Sequence, residues 1–66
     1  MEIFINHAPV QTTDFATLAQ VLAEQGLDKP GIAVAIENRV VPREQWADTP
    51  LSAGTDITVI RAVCGG

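Results

Sequence analysis

Few residues of this chain could carry out chemistry by themselves. The 66 residues include one histidine, one cysteine and eight carboxylates, whereas acid–base or nucleophilic catalysis needs such groups to converge in one site. His7 falls in a predicted turn, where a solvated histidine is the ordinary finding. Charged residues in the middle of the chain are typical of a solvated rim, namely Glu37, Arg39, Arg43, Glu44 and Asp48. We therefore expect no catalytic residue and no metal ligand.

The segment Val63-Cys64-Gly65-Gly66 is the exception. Two consecutive terminal glycines arise by chance in about one chain in two hundred at ordinary glycine usage, although a frayed end without function is the alternative. Glycine has no Cβ, so a tail of Cys64, Gly65 and Gly66 can enter a narrow channel. Four extended residues span at most about 14 Å. The carboxylate of Gly66 could thus reach a buried active site of another protein.

Such a carboxylate is ionised at neutral pH and must be activated before it reacts. Adenylation by ATP supplies AMP as a leaving group, which a sulfur or nitrogen nucleophile can displace. Cys64 lies two residues from this group, and it has two interpretations. The favoured one is a small side chain on the tail. The other is a thiol that captures the activated acyl group or pairs with a cysteine of an enzyme.

Composition limits what can position this tail. A chain of 7.0 kDa forms one small domain without a large pocket. The net charge of −4 disfavours nucleic acid and favours a basic partner. One cysteine cannot form an intrachain disulfide, so stability must come from packing. The first residues have no basic region and too short an apolar run for a signal peptide or a membrane span, which predicts a cytoplasmic protein without membrane contact.

The chain pattern predicts one domain over residues 1–63 and a tail over residues 64–66. A capping box at Thr17 and Gln20 predicts the start of a helix, and Gly26 its end. Pro42 predicts a helical turn through Trp46. Met1–Asn6 alternates as expected of an opening strand. Four further segments either alternate or are short and apolar, which also predicts strands: Val10–Thr13, Ile32–Ile36, Val40–Val41 and Ile57–Val63.

This order predicts an α+β fold of the β-grasp type, a mixed sheet of about five strands that wraps one main helix. The first and last strands should be central and parallel. The predicted core is Ile3, Ile5, Leu18, Val21, Leu22, Val34, Ile36, Ile57 and Val59, closed by Trp46 or Leu51. Alternation along the strands turns other apolar side chains away from the helix. These side chains predict a partner-docking patch of Phe4, Ala33, Ala35, Ile60 and Ala62.

Three segments carry a resemblance to a known family. Val40–Trp46 reads Val-Val-Pro-Arg-Glu-Gln-Trp, Gly54–Ile57 follows, and Gly65-Gly66 ends the chain. With these features the chain resembles the ThiS family of ubiquitin-like sulfur carriers in thiamine biosynthesis over nearly its whole length. The turn Gly54-Thr55-Asp56 departs from the Gly-Asp pairing associated with the family, and a thiol at Cys64 is not expected from it.

The resemblance implies a protein co-substrate rather than an enzyme, with no bound cofactor. A ThiF-type adenylyltransferase would adenylate Gly66 with ATP, and a cysteine-derived sulfur relay would convert the adenylate to a thiocarboxylate. The thiocarboxylate would donate sulfur to a ThiG-type thiazole synthase. Two alternatives share the Gly-Gly end: the sulfur-donor small subunit of molybdopterin synthase, and a ubiquitin-like modifier that forms isopeptide bonds with lysine.

Overall fold

The computed structural model describes residues 1–61, and residues 62–66 lie outside this range. The elements follow one another in the predicted order, with a short 3₁₀ helix between the last two strands. Their bounds are β1 Glu2–Ile5, β2 Ala8–Gln11, α1 Leu18–Glu24, β3 Ile32–Ile36, β4 Arg39–Val41, the 3₁₀ helix Arg43–Asp48 and β5 Asp56–Arg61.

The five strands form one mixed sheet in the order β2-β1-β5-β3-β4. Strands β1 and β5 are adjacent and parallel, with Phe4 opposite Asp56 and Ile5 opposite Ile57. The other three pairings are antiparallel. Parallel neighbours need a long crossover connection, and here the intervening strands and helix supply it. The predicted β-grasp fold with parallel central strands is confirmed.

Helix α1 begins and ends at the residues that the local signals indicate. At its start, the Thr17 N–H donates to Gln20 Oε1 at 2.9 Å, and the Gln20 N–H donates to Thr17 Oγ1 at 3.3 Å. At its end, Gly26 has a φ of +71° and the Leu27 N–H donates to the Leu22 carbonyl at 2.7 Å. The last pair belongs to a Schellman motif, which needs a left-handed residue after the helix.

The core lies between the sheet and α1. Ten buried residues form it within the described part of the chain: Ile3, Ile5, Ala16, Leu18, Val21, Leu22, Val34, Trp46, Leu51 and Ile57. Two predicted core residues, Ile36 and Val59, are only half-buried and pack against the edge of this core, and the sequence interpretation missed Ala16. The reason is length: seven helical residues span about 10 Å, whereas the six residues of β5 span about 20 Å. The helix therefore cannot cover every inward position of the sheet.

Both hairpin turns are shorter than the sequence predicts. Asn6 and His7 form a two-residue turn with φ of +50° and +70°, and Glu37 and Asn38 form another with +53° and +67°. These angles are those of type I′ turns, which match the twist of the strands they join. Type I′ turns usually contain Asn-Gly, so neither pair carries the usual signal.

The strand boundaries shift accordingly. Strand β2 occupies Ala8–Gln11 rather than Val10–Thr13, and it includes Pro9. Proline is tolerated there because β2 lies at the edge of the sheet, where one row of N–H groups needs no partner. The final strand begins at Asp56, one residue before the predicted start. Its predicted end at Val63 lies outside the described residues.

Candidate functional site

The face of the sheet that points away from α1 carries exposed apolar side chains. Ala33 lies opposite Ile60 in the β3–β5 ladder, and 55% of Ile60 is exposed. Ala35 lies on the same face of β3, and half-buried Phe4 lies on this face of β1. Four residues of the predicted patch therefore share one face. The fifth, Ala62, lies outside the described residues.

Val40 extends this surface, and the sequence interpretation missed it. It pairs with Ala35 across β3 and β4, and 76% of it is exposed. Because alanine side chains are small, the surface over β3 is lower than at Val40 and Ile60, which flank it. The pair Val40-Val41 held the signal, since one of two consecutive strand residues must point away from the core. We call Phe4, Ala33, Ala35, Val40 and Ile60 the outer patch.

Negative charge lies at one end of the outer patch. Asp56 is the cross-strand neighbour of Phe4, and Glu2 lies on the same face of β1 by alternation. Glu2 also accepts a hydrogen bond from Gln11 Nε2 at 3.4 Å. These carboxylates are close to the start of β5, whereas Ile60 is close to its end. A complementary surface would therefore combine an apolar centre with basic groups on the side of Asp56.

The described chain ends at the other end of this patch. Arg61 is the last described residue and directly follows Ile60. The predicted tail residues Cys64, Gly65 and Gly66 lie outside the described range. Gly66 is five residues after Arg61, so it can lie at most about 18 Å from Arg61. A protein seated on the outer patch would be within reach of Gly66.

Asn6 makes a pair of hydrogen bonds that the sequence interpretation did not anticipate. Its Oδ1 accepts from the Val59 N–H at 2.8 Å, and its Nδ2 donates to the Val59 carbonyl at 3.3 Å. The two residues are 53 positions apart, so a local sequence pattern has no access to this contact. Asn6 thus attaches to β5 two residues before the end of the described chain.

The segment Val-Pro-Arg-x-x-Trp, on which the family resemblance partly rests, has a structural role. Arg43 donates to the carbonyls of Asp28 at 3.2 Å and Lys29 at 2.5 Å. Its guanidinium also lies 4.4 Å from the ring centroid of Trp46. Trp46 is buried, and its Nε1 donates to the Val41 carbonyl at 2.9 Å. The Arg43 hydrogen bonds attach the connection between α1 and β3 to the 3₁₀ helix, and the Trp46 hydrogen bond attaches that helix to the end of β4.

The remaining candidates do not converge. His7 is exposed in its turn, and within residues 1–61 no group of three His, Cys, Asp or Glu side chains could hold a metal ion. The predicted charged rim is exposed at all five positions.

An open groove of about 490 Å³ lies between β4 and the 3₁₀ helix, with Val41, Gln45 and Thr49 in its wall. In the described part of the chain, no helix is long and apolar enough to cross a membrane.

Comparisons with known proteins agree on one family. The family model described as the ThiS family matches residues 3–66. The sulfur carrier protein ThiS of Escherichia coli (strain K12) is 32% identical over 66 residues, which is the whole of both chains. The crystal structure of the thiamine biosynthesis protein ThiS from Geobacter metallireducens superposes with a TM-score of 0.85. It covers all of both chains at 17% identity and shows that the fold is shared.

Proposed function

This chain belongs to the ThiS family, and we propose that it carries sulfur as a thiocarboxylate on Gly66 for thiazole formation in thiamine biosynthesis. The observation that carries the proposal is the full-length similarity to the sulfur carrier protein ThiS of Escherichia coli. The family match extends through residue 66 and so includes both terminal glycines. In this role the chain is a co-substrate of other enzymes.

The proposed chemistry takes place in two steps on the Gly66 carbonyl. A carboxylate oxygen first attacks the α-phosphorus of ATP, which forms the acyl adenylate and releases pyrophosphate. A sulfide-level sulfur nucleophile, derived from cysteine, then attacks the carbonyl carbon. The C–S bond forms, the C–O bond to the phosphate breaks, and AMP leaves. A ThiF-type adenylyltransferase would supply the site for the first step, and a ThiG-type thiazole synthase would accept the sulfur.

The body of the protein would serve as the part that the adenylyltransferase recognises. The outer patch places five apolar residues on one face of the sheet, interrupted by exposed Thr58, and exposed apolar surface on a small protein often marks an interface. Asp56 and Glu2 at one end favour a partner with basic groups there. At the other end Ile60 adjoins the residues that lead to Gly66. This arrangement supports a docked partner that receives residues 64–66 as a tail.

The experiment that tests the carrier role must locate the sulfur. The protein is incubated with the adenylyltransferase, ATP and a sulfur source, alkylated with a reagent that tags thiols and thiocarboxylates, and fragmented in a mass spectrometer. Intact mass alone is ambiguous, because replacement of oxygen by sulfur adds nearly the same mass as oxidation of Met1 or Cys64. A Cys64→Ala variant, treated in parallel, removes the competing thiol.

We expect an ATP-dependent adduct on Gly66 in both the parent and the Cys64→Ala variant. Tagging confined to Cys64, or no adduct on Gly66, would contradict the proposal. Isopeptide conjugates to lysine residues in the same reaction would instead identify a protein modifier.

A further inference from the structure

The β1–β5 ladder stops where the chain turns. The last backbone hydrogen bond runs from the Asn6 N–H to the Ile57 carbonyl at 2.9 Å. In a parallel pair, the next bonds would join the N–H and carbonyl of Val59 to backbone groups further along β1. Asn6 and His7 instead turn the chain into β2 with left-handed φ values. The backbone of β1 therefore leaves Val59 without its expected partners.

The Asn6 side chain takes the place of those backbone groups. Its carbonyl accepts from the Val59 N–H and its amino group donates to the Val59 carbonyl. An amide is suited to this because it has an acceptor and a donor at its end. Asparagine also tolerates the φ of +50° that the turn requires. One residue thus satisfies the turn geometry and extends the pairing of β5 by one step.

Among residues 1–61, this contact is the last on the β1-facing edge of β5. Strand β3 holds the opposite edge as far as Ile32, which pairs with Arg61. Toward β1, the described residues provide no hydrogen bond to β5 beyond Val59. Gly66 is seven residues after Val59 and five after Arg61. Release of Val59 would free the β1-facing edge of the last described residues of β5.

We propose that Asn6 is a positioning residue for the carboxyl-terminal glycines. By holding Val59, it sets the place and direction from which residues 62–66 start, and thereby how Gly66 meets the adenylating enzyme. The inference rests on the proposed function and adds a residue that acts at a distance from the reacting carboxylate. Positioning matters because a displacement of about 1 Å can reduce a rate by about 100-fold.

Two substitutions separate this role from a general effect on the turn. Asn6→Gly introduces a residue that readily adopts the positive φ of this turn, and it removes both side-chain hydrogen bonds. Asn38→Gly is the matched control, because Asn38 is exposed with a φ of +67° in the other two-residue turn. A third variant, Asn6→Asp, retains the acceptor for the Val59 N–H but places a second acceptor against the Val59 carbonyl.

Steady-state kinetics of ATP–pyrophosphate exchange with the adenylyltransferase provide the first measurement. We expect Asn6→Gly to lower kcat about tenfold and to change KM for the carrier less than about twofold, because the outer patch remains intact. Asn6→Asp should lie between this variant and the parent, and Asn38→Gly should match the parent. Equal kcat values for Asn6→Gly and Asn38→Gly would overturn the inference. A loss confined to KM would overturn it as well.

A second measurement needs no partner protein. Cys64 is the only cysteine, so a nitroxide label attached there reports on the tail through paramagnetic relaxation of backbone amides in β1 and β5. We expect Asn6→Gly to change this pattern and to speed hydrogen exchange of the Val59 amide about tenfold, with Asn38→Gly unchanged. If the parent, Asn6→Gly and Asn38→Gly shared one pattern of paramagnetic relaxation, the inference would be overturned even if the enzyme assay showed an effect. Absence of adenylation in the parent would refute the proposed function, and the label would still test the positioning.

Discussion

Replacement of Ile60 by serine tests whether the outer patch binds the adenylyltransferase. The expected size follows from exposure: full burial of an isoleucine side chain contributes about 1.5 to 3 kcal/mol, and 55% of Ile60 remains to be covered. Complete coverage by a partner would therefore contribute about 0.8 to 1.7 kcal/mol, which corresponds to roughly four- to sixteenfold in Kd. We expect Ile60→Ser to weaken binding by about this factor.

Phe15→Ser is the matched control. Phe15 is 92% exposed in the loop that precedes α1, and it is not part of the outer patch. The Phe15→Ser substitution removes more exposed apolar surface than Ile60→Ser does. A nonspecific loss of hydrophobic contact would therefore weaken the binding of Phe15→Ser to the adenylyltransferase at least as much. Isothermal titration calorimetry with the adenylyltransferase measures both affinities, and circular dichroism verifies that both variants are folded. Equal affinities of Ile60→Ser and the parent would refute the assignment of the docking surface. An equal loss of affinity in Phe15→Ser would refute that assignment as well.

Two further substitutions test the core and the tail. Leu22 is fully buried under the sheet, so Leu22→Ala should lower the free energy of unfolding by about 2 to 5 kcal/mol in urea denaturation; a loss below about 1 kcal/mol would contradict the described packing. Gly65→Val should abolish adenylation, because a β-branched side chain restricts φ and ψ and widens a tail that must enter a narrow channel. Equal turnover of Gly65→Val and the parent in pyrophosphate exchange would remove the threading argument.

Much of the fold was predictable because its signals are local. The capping box at Thr17 and the left-handed Gly26 act on backbone groups within a few residues, so their sequence positions alone locate the ends of α1. Alternation likewise assigns Ile3 and Ile57 to one face of their strands, whatever lies beside them. The β-grasp order followed from these elements together with the crossover that parallel strands require.

Turn types and the limits of the core were less predictable. Asn6-His7 and Glu37-Asn38 adopt left-handed angles without glycine, because the twist of the strands they join selects such turns. Val59 is only half-buried, since coverage by a short helix depends on where the helix lies and not on residue type.

The functional conclusions divide in the same way. By itself the sequence determined the candidate reactive group, since the chemistry of a Gly-Gly carboxylate needs no neighbouring side chain. Tertiary structure alone decided which residues share the outer face of the sheet and which side chain contacts the end of β5. Val40 joins the outer patch through pairing with β3, and Asn6 holds a strand 53 residues away. Such contacts depend on strand order and register, which bring distant backbone groups within hydrogen-bonding distance, and no local pattern encodes that distance.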